Sequence, residues 1–445
     1  MISFYLDNYR GFSQEYIELK NVNFLVGENS TGKTSFLSIV KLMASPSFWL
    51  DTDFNDQYIR LGSFSELINK GGNNKKSFLI GFYTLDEIDL PDDEGEEGVE
   101  GVEAEFKLVT FRNEEGLPVV SKHSFLLDGN LITTIIRKDA MLYKRHDLEL
   151  ATTEPKEIFE ACYQEHQSTS TKNYKKIIAE GFPRKLFFAH ADRLVSAALD
   201  GNDFLEGRKT FNLYLRSSLP RVCWIAPIRA KPESTYEGFK TNATADGEHI
   251  PQLLNKMISK SKNSGKNSKV VDAINKFGLD SGLFDKVDTK RFGKDLSSPF
   301  EMHVVLNGKT IKVCNVGYGV SQVLPIVTEV LARTGEPTFS IQQPEVHLHP
   351  KAQASLGEFI YHAANEKGSK FIIETHSDYM IDRFRLSKNK NKEDQTSCQV
   401  LFFERGDEAN KVHTININED GSYPLEQPEA FRDFFINEEL ELLRL

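Results

Sequence analysis

Apolar runs of strand length alternate with helix-like stretches along the chain. Residues 2–9 (ISFYLDNY) and 15–20 (EYIELK) predict two strands of a hairpin with a turn at residues 10–12. A continuous apolar run, VNFLV (residues 22–26), predicts a buried strand, and SFLSIVKLM (residues 35–43) has the spacing of a helix. Strand-like and helix-like segments alternate again in the last third of the chain, so the pattern predicts an α/β fold.

Other segments carry weaker signals. Residues 86–105 are acidic and glycine-rich and predict a solvated loop, and residues 256–276 are lysine-rich and predict a polar loop. Residues 155–219 predict helices, residues 222–230 predict a buried strand, and residues 411–425 predict a hairpin. A terminal helix would carry an apolar stripe of Phe431, Phe434, Phe435, Leu442 and Leu445.

Composition places the chain among soluble globular proteins. Of its 445 residues, 39% are hydrophobic and 27% are charged, which is typical of a protein with an ample core. The net charge of −11 argues against binding of nucleic acid over much of the surface, although a local basic groove stays possible. Four cysteines lie far apart, no apolar run has the length of a membrane span, and the N-terminus lacks a signal-peptide pattern. We therefore expect a cytoplasmic protein without a membrane partner.

The stretch GENSTGKTS, residues 27–35, carries the strongest chemical signal. Gly27, Gly32, Lys33 and Thr34 fit the phosphate-binding pattern G-x-x-x-x-G-K-[ST] between a predicted strand and a predicted helix. Glycines let successive backbone N–H groups point at one anion, and the helix N-terminus adds its dipole. Lys33 would reach the β- and γ-phosphates and Thr34 would bind Mg²⁺. A glycine-rich turn without a ligand is the alternative, which the strand and helix context disfavours.

Three later segments add polar residues at the ends of predicted elements. Gly319 and Ser321 open a predicted helix, which is either an ordinary capped helix or a second anion site that suggests a γ-phosphate contact made with another copy. A predicted strand ends at Gln342 and Gln343, where phosphate-loop ATPases carry acidic groups for Mg²⁺ and water. Another buried strand ends just before His376, which could reach a γ-phosphate.

In this order, GENSTGKTS, GYGVSQ, QQPEVHLHP and ETHSD resemble the ABC-type ATPases of the SMC, RecF and OLD branch. More narrowly, the chain resembles the compact bacterial AAA family ATPases of that branch, as in the anti-phage systems Septu, PARIS, Gabija and retrons. The resemblance implies an ABC-type ATPase head, with a mixed sheet, flanking helices, an N-terminal antiparallel β subdomain and an inserted helical arm. It implies a first lobe with the phosphate loop at residues 1–150, an arm or dimerisation region at 151–300, and a second lobe at 301–445.

The resemblance also implies roles for individual residues. ATP and Mg²⁺ would bind at Gly27, Asn29, Ser30, Thr31, Gly32, Lys33, Thr34 and Ser35. Arg10 would approach the nucleotide, and His376 would be the switch histidine. Gly319 and Ser321 would cap the γ-phosphate of a partner copy, which implies a head-to-tail homodimer or a higher homo-oligomer. Gln57 is the glutamine in the stretch where this family contacts Mg²⁺ after the first helix.

The sequence departs from this family at the catalytic position. Gln342 and Gln343 stand where the family has its Mg²⁺-ordering acid and its catalytic glutamate, and an amide cannot act as a general base. Gln343 could orient water, Gln342 could contact Mg²⁺, and Glu345, His347 or His349 could supply the missing function. One alternative is slow hydrolysis by Gln343 and Glu345, and the other is an ATP-bound, locked dimer. In both, we expect turnover below the usual ~1–10³ s⁻¹ of enzymes.

No nuclease signature occurs in the sequence, so we expect any effector to be a separate protein. The family resemblance favours an ATPase that acts as sensor and scaffold for a nuclease or toxin in anti-phage defence. The alternative is a DNA-repair or DNA-end-binding ATPase. Residues 256–276, with their lysines, favour this alternative weakly.

Overall fold

The structure is a computed structural model. It describes residues 1–72, 74–90, 99–127, 130–137, 140–147, 155–178, 219–237, 242–264, 269–335, 337–391 and 394–434. The chain forms two compact units. The first unit comprises Met1–Leu19, Ser30–Arg221 and Glu404–Val412, and the second comprises Lys20–Asn29, Val222–Phe403 and His413–Leu445.

An eight-stranded antiparallel sheet builds the first unit, in the order β2-β1-β4-β5-β6-β7-β8-β9. Its strands are β1 (Ile2–Asp7), β2 (Glu15–Leu19), β4 (Ser77–Leu90), β5 (Val99–Glu114), β6 (Leu117–Leu127), β7 (Asn130–Ile136), β8 (Ala140–Asp147) and β9 (Lys175–Ile178). The same unit holds the helices α1 (Lys33–Met43), α2 (Pro46–Asp51), α3 (Phe64–Leu67) and α4 (Pro155–Gln167). Helix α4 packs Ile158, Phe159 and Cys162 with buried aromatic and aliphatic side chains of this sheet.

A largely parallel sheet builds the second unit, in the order β10-β14-β15-β3-β16-β17. Its strands are β3 (Val22–Gly27), β10 (Val222–Ile225), β14 (Thr338–Gln342), β15 (Lys370–Glu374), β16 (Cys398–Glu404) and β17 (Lys411–Ile417). The helices are α5 (Ile250–Ser264), α6 (Lys269–Ser281), α7 (Tyr318–Ala332), α8 (Pro350–Lys367) and α9 (Asp378–Lys390). A second, antiparallel sheet consists of β11 (Lys286–Arg291), β12 (Phe300–Leu306) and β13 (Lys309–Lys312).

The core of the second unit explains why its central strands lie where they do. Strand β3 is buried at every position, as its continuous apolar run predicts for a strand covered on both faces. Phe24, Phe339 and Phe371 from three neighbouring strands belong to one buried cluster. Because these strands are parallel, their carboxyl ends meet at one edge of the sheet, and polar residues follow them there.

The predicted α/β class, with flanking helices and an N-terminal antiparallel part, is confirmed. The predicted hairpin of β1 and β2 is confirmed. No helix within the described ranges is long and apolar enough to cross a membrane.

Two predicted loops are wrong. The segment 86–105 continues β4 and β5, which pair as far as Leu90 and Val99, because antiparallel pairing satisfies the backbone of residues whose charge suggested a loop. Residues 91–98 lie outside the described part of the chain. Of the lysine-rich segment 256–276, residues 256–264 and 269–276 lie on α5 and α6, which bury Ile258 and Ile274, and residues 265–268 lie outside the described part of the chain. The apolar residues of this polar segment recur at helical spacing, and their burial on one face stabilises the helices.

The remaining sequence predictions have mixed outcomes. The predicted helices of residues 155–219 include α4, but Lys175–Ile178 form β9, and residues 179–218 lie outside the described part. Strand β17 forms, while residues 418–428 form turns rather than the second strand of a hairpin. Of the predicted apolar stripe, Phe431 is buried and Phe434 packs beside it, and residues 435–445 are not described. The predicted arm at residues 151–300 stays a prediction.

Candidate functional site

Gly27 ends β3 and begins the phosphate-loop motif at the carboxyl edge of the parallel sheet. Its φ of 138° is unfavourable for any residue with a side chain. A Cβ added there would lie 2.2 Å from the carbonyl oxygen of Phe403 on β16, so the neighbouring strand also excludes a side chain. Only glycine satisfies both conditions at the point where the loop leaves the sheet.

Residues 30–35 of the motif belong to the first unit. Ser30 and Gly32 have positive φ angles of 66° and 100°, which curl the backbone before α1 begins at Lys33. A Cβ on Gly32 would lie 2.6 Å from the ring of Phe12. The loop therefore delivers Lys33 and Thr34 to the N-terminus of a helix, where N–H groups and the dipole favour an anion.

The segment that carries Arg10 lies against this part of the loop. The guanidinium of Arg10 donates from Nη1 to the Ser35 hydroxyl at 2.9 Å and from Nη2 to the carbonyl of Leu61 at 3.0 Å. The first unit thus brings together two of the residues that the sequence assigns to nucleotide binding. Gln57, by contrast, is an exposed loop residue, and its contact with Mg²⁺ stays a prediction.

Asn410 is a loop-supporting residue that the sequence analysis missed. Its side-chain N–H donates to the carbonyl of Thr31 at 2.8 Å, and its backbone N–H donates to the carbonyl of Gly11 at 2.7 Å. Asn410 therefore ties the phosphate loop to the turn after β1. No local sequence pattern marks this asparagine, because its partners come from distant parts of the chain.

Strand β14 ends at Gln342, which is only 6% exposed. Its side-chain Nε2 donates to the Glu374 carboxylate at 3.2 Å, and Glu374 is the last residue of the neighbouring strand β15. Gln343 follows with a φ of 41°, and its backbone N–H donates to the carbonyl of Glu374 at 2.8 Å. The ends of the two strands are therefore joined through Glu374, which the sequence analysis did not single out.

Glu345 links the segment after β14 to the segment after β15. Its Oε1 accepts the backbone N–H of His376 at 2.8 Å. Burial raises the pKa of the Glu345 carboxyl, against the lowering effects of this hydrogen bond and of Arg229. Glu345 therefore positions the predicted switch histidine, whose side chain is exposed.

Arg229 gives a role to the segment APIRA, residues 226–230. The side chain is 3% exposed, and its Nη2 donates to the carbonyl of Gln342 at 3.1 Å. Burial lowers the pKa of Arg229 to about 10, with Glu345 acting in the opposite direction. A buried guanidinium thus holds the last residue of β14 through its backbone carbonyl.

Other polar residues near this edge have structural partners. Ser377 caps α9 by accepting the N–H of Met380 at 3.1 Å. The Nδ1 of His349 accepts the N–H of Ala352 at 3.3 Å and caps α8. The ring of His347 lies 5.6 Å from that of Tyr318, at the start of α7. His349 is therefore engaged as a helix cap, and His347 lies beside the start of the helix that carries Gly319 and Ser321.

Helix α7 carries Gly319 and Ser321 in its first turn. Gly317 is its N-cap, and the hydroxyl of Ser321 donates to the carbonyl of Tyr318 at 2.9 Å. A Cβ on Gly319 would lie 3.0 Å from the carbonyl oxygen of His347, so this backbone packs closely. Tyr318 is 57% exposed, which leaves the start of the helix accessible.

The far end of α7 is fixed by a buried polar cluster. The carboxylate of Glu329 accepts hydrogen bonds from His249 Nε2 at 2.5 Å and from Arg333 Nε at 2.8 Å. The Nδ1 of His249 accepts the backbone N–H of Thr244 at 3.1 Å, which leaves the ring proton on Nε2. This contact ties residues 246–254, which include His249, to the end of α7.

The donor atoms suit Mg²⁺ better than a transition metal. Among the residues that the structure describes, no three His, Cys, Asp or Glu side chains form a metal cluster. Mg²⁺ at nucleotide sites is held by one or two protein oxygens together with phosphates and waters, so it needs no such cluster. The amide of Gln342 and the carboxylate of Glu374, which are joined by a hydrogen bond, offer oxygen atoms of the type that Mg²⁺ binds.

The fold and these residues define a phosphate-loop ATPase. The chain belongs to the family of the AAA ATPase domain AAA_15, whose model matches residues 1–381. It is an ATPase of this family. No curated protein matches the chain.

Three solved structures are distantly similar in fold. An SMC head bound to the C-winged helix domain of ScpA is 11% identical, with coverage of 94% of this chain and 98% of its own and a TM-score of 0.45. The SMC head domain from Thermotoga maritima is 10% identical, covers 93% of this chain and 97% of its own, and has a TM-score of 0.40. An Smc head domain with an extended coiled coil, bound to the C-terminal domain of ScpA derived from Pyrococcus furiosus, is 12% identical over 100% of both chains, with a TM-score of 0.40.

Proposed function

We propose that this ATPase binds ATP between two head-to-tail copies, hydrolyses it slowly, and acts as a sensor and scaffold for a separate effector in bacterial anti-phage defence. The observation that carries the ATP-binding part is the phosphate loop. Gly27 and Gly32 adopt positive φ angles where added side chains would collide, and Lys33 follows as the first residue of α1. A backbone so restricted to glycine suits close approach of phosphates.

Lys33, Thr34 and Ser35 are the proposed phosphate and metal contacts at the start of α1, and Arg10 supports Ser35 through its hydrogen bond. Asn29, Ser30 and Thr31 contribute the backbone of the loop. When bound, Mg²⁺ neutralises phosphate charge as the γ-phosphoryl group is transferred. Thr34 and Gln342 are the residues that we expect to hold it.

Slow hydrolysis follows from the chemistry at the end of β14. Gln343 orients the attacking water and cannot accept its proton. Glu345 is the nearest carboxylate along the chain, and burial raises its pKa, which strengthens it as a proton acceptor once ionised. One of its oxygens is already engaged by the N–H of His376, so we expect it to work poorly as a base.

Dimerisation would use the start of α7. Gly319 and Ser321 lie in its first turn beside exposed Tyr318, and a helix N-terminus favours an anion such as the γ-phosphate of a partner copy. ATP binding to the closed pair in preference to separate copies would then set the dimer population. The effector, a nuclease or toxin, would respond to that population.

The ATP-binding proposal is tested with a fluorescent ATP analogue and the variant Lys33→Ala. We expect affinity to fall roughly 10- to 100-fold, since charge-assisted hydrogen bonds contribute about 1.5–3 kcal/mol. Lys41→Ala, on the same helix and in a surface ion pair with Asp56, is the matched control and should bind normally. Unchanged affinity in a folded Lys33→Ala protein would contradict the proposal. A turnover above ~1 s⁻¹ that disappears in this variant would contradict slow hydrolysis.

A DNA-end-binding or DNA-repair ATPase remains the second candidate because of four lysines. These are Lys256, Lys260, Lys269 and Lys276, all exposed on α5 and α6. If they contact DNA, affinity should fall steeply with salt, and replacing them with glutamine should flatten that dependence by about one unit of slope for each phosphate that is no longer neutralised. A salt dependence that the four substitutions leave unchanged would exclude this surface.

A further inference from the structure

The carboxylate missing from the end of β14 has a counterpart on the adjacent strand. Gln342 and Glu374 are register partners in the parallel pair β14–β15. Strand β15 lies between β14 and β3, and Glu374 is also the register partner of Leu25 on β3. Glu374 is therefore one strand closer than Gln342 to the strand that leads into the phosphate loop.

The hydrogen bond between the two side chains fixes the orientation of the Gln342 amide. Its Nε2 donates to Glu374 Oε2 at 3.2 Å, because a carboxylate accepts and an amide nitrogen donates. The other face of the amide, its Oε1, is therefore turned away from Glu374. An amide oxygen is a ligand type that Mg²⁺ accepts, whereas the nitrogen is not.

Glu345 is a poorer candidate for this role. Its Oε1 accepts the N–H of His376, and the same carboxylate is electrostatically coupled to Arg229 behind β14. Glu374 lies at the carboxyl edge itself, is 6% exposed and is joined to the side chain of Gln342. A buried carboxylate at a nucleotide-binding edge is stabilised by a nearby cation, and a nucleotide-bound Mg²⁺ would be one.

We propose that Glu374 replaces the missing acid of β14. It places a negative charge at the metal side of the nucleotide and holds the Gln342 amide with its oxygen available to Mg²⁺. Glu374 is thus a positioning residue, and Gln342 with Glu374 forms one metal-ordering pair. This inference rests on the proposed ATP binding and assigns its metal dependence to a residue to which the sequence analysis gave no role.

The test measures affinity for a non-hydrolysable ATP analogue with Mg²⁺ and with EDTA, in the full chain. For the unaltered protein we expect Mg²⁺ to increase affinity. In Glu374→Gln the ratio of the two affinities should shrink roughly tenfold, because one charged contact contributes about 1.5 kcal/mol or more. Affinity in EDTA should stay equal or rise, since a negative charge near the phosphates has been removed.

Two further variants separate a metal role from a structural one. Glu358→Gln removes an exposed carboxylate paired with Arg383 on the same unit and should leave the ratio unchanged. The double variant Gln342→Glu with Glu374→Gln exchanges the amide and the carboxylate and should restore the ratio. An unchanged ratio in Glu374→Gln, or equal losses with Mg²⁺ and EDTA, would overturn the inference. If the unaltered protein bound no nucleotide at all, the proposed function would fail first, and this inference with it.

Discussion

At the scale of single residues, the phosphate loop depends on glycines that have no room for a side chain. Gly27 combines a φ of 138° with a neighbouring carbonyl oxygen only 2.2 Å from the position of a Cβ. The oxygen belongs to the backbone of β16, a central strand of the sheet, so it cannot move aside as a flexible side chain would. The geometry of the loop is therefore built into the parallel sheet.

Gly27→Ala should accordingly destabilise the protein and weaken nucleotide binding together. The positive φ costs about 1–2 kcal/mol, and overpacking against Phe403 adds about 1–3 kcal/mol. Urea unfolding and analogue binding would measure the two effects. Gly116→Ala is the matched control, because its φ of 86° is also positive but nothing lies within 4 Å of the added Cβ. Equal losses of stability in the two variants would show that the close approach to β16 has no effect.

The sequence predicts motif residues well and their supporting residues poorly. Gly27, Lys33 and Thr34 are recognisable because their spacing along the chain is itself the geometric requirement. Asn410 and Arg229 are not recognisable, because each acts through a partner far away in sequence. Glu374 is intermediate: a carboxylate ending a buried strand is visible in the sequence, but its pairing with Gln342 requires the strand order.

At the scale of elements, helix α7, which carries Gly319 and Ser321, is fixed at its C-terminal end by Glu329. Burial acts to raise the pKa of this carboxyl, but the hydrogen bond from His249 and the interaction with Arg333 outweigh it and lower the pKa. The Cys223 thiol lies 4.0 Å away, and burial raises its pKa to about 12, so it remains neutral. The folded protein therefore favours the ionised carboxylate more than the unfolded chain does.

Glu329→Gln should reduce stability at pH 7 by roughly 2 kcal/mol, since hydrogen bonds to charged groups contribute about 1.5–3 kcal/mol. A folded pKa below the unfolded value means that the contribution is complete above the unfolded pKa and is lost as pH falls through the folded one. The difference between the variant and the unaltered protein should thus narrow below about pH 4.5. Urea unfolding from pH 7 to pH 3.5 would measure it. Glu366→Gln, which removes an exposed partner of His362, should change stability by less than about 0.5 kcal/mol at any pH.

Element types follow from the sequence where apolar periodicity is strong and fail where charge dominates. Strands β14 and β15 are short, apolar and buried, so the pattern alone predicts them. The outer parts of β4 and β5 are acidic, and they are strands only because each supplies the other with an antiparallel partner. Helices α5 and α6 were also missed because of charge, but here the apolar residues do have helical spacing. The many lysines between them led to the prediction of a loop.

At the scale of the whole molecule, the proposed function requires a second copy at the start of α7. Gly317, the N-cap of this helix, has nothing within 4 Å of an added Cβ, and its φ of −57° suits any residue. A side chain at this position therefore fits a single copy. In a head-to-tail dimer the same side chain would point towards the phosphates of the partner's ATP.

Gly317→Glu should therefore separate dimerisation from folding and from nucleotide binding. Mass measurements with ATP and Mg²⁺ should show the unaltered protein moving from 50.5 kDa to about twice that mass, whereas Gly317→Glu should stay at 50.5 kDa. The added carboxylate would repel the partner's phosphates and oppose the dipole-assisted contact. Its melting temperature and its affinity for the ATP analogue should change little, because the substitution meets no neighbour within its own copy. Thr310→Glu, at an exposed position of β13, is the charge-matched control and should dimerise normally. A Gly317→Glu protein that dimerises with ATP as readily as this control would place the partner's nucleotide elsewhere and remove the proposed role of Ser321.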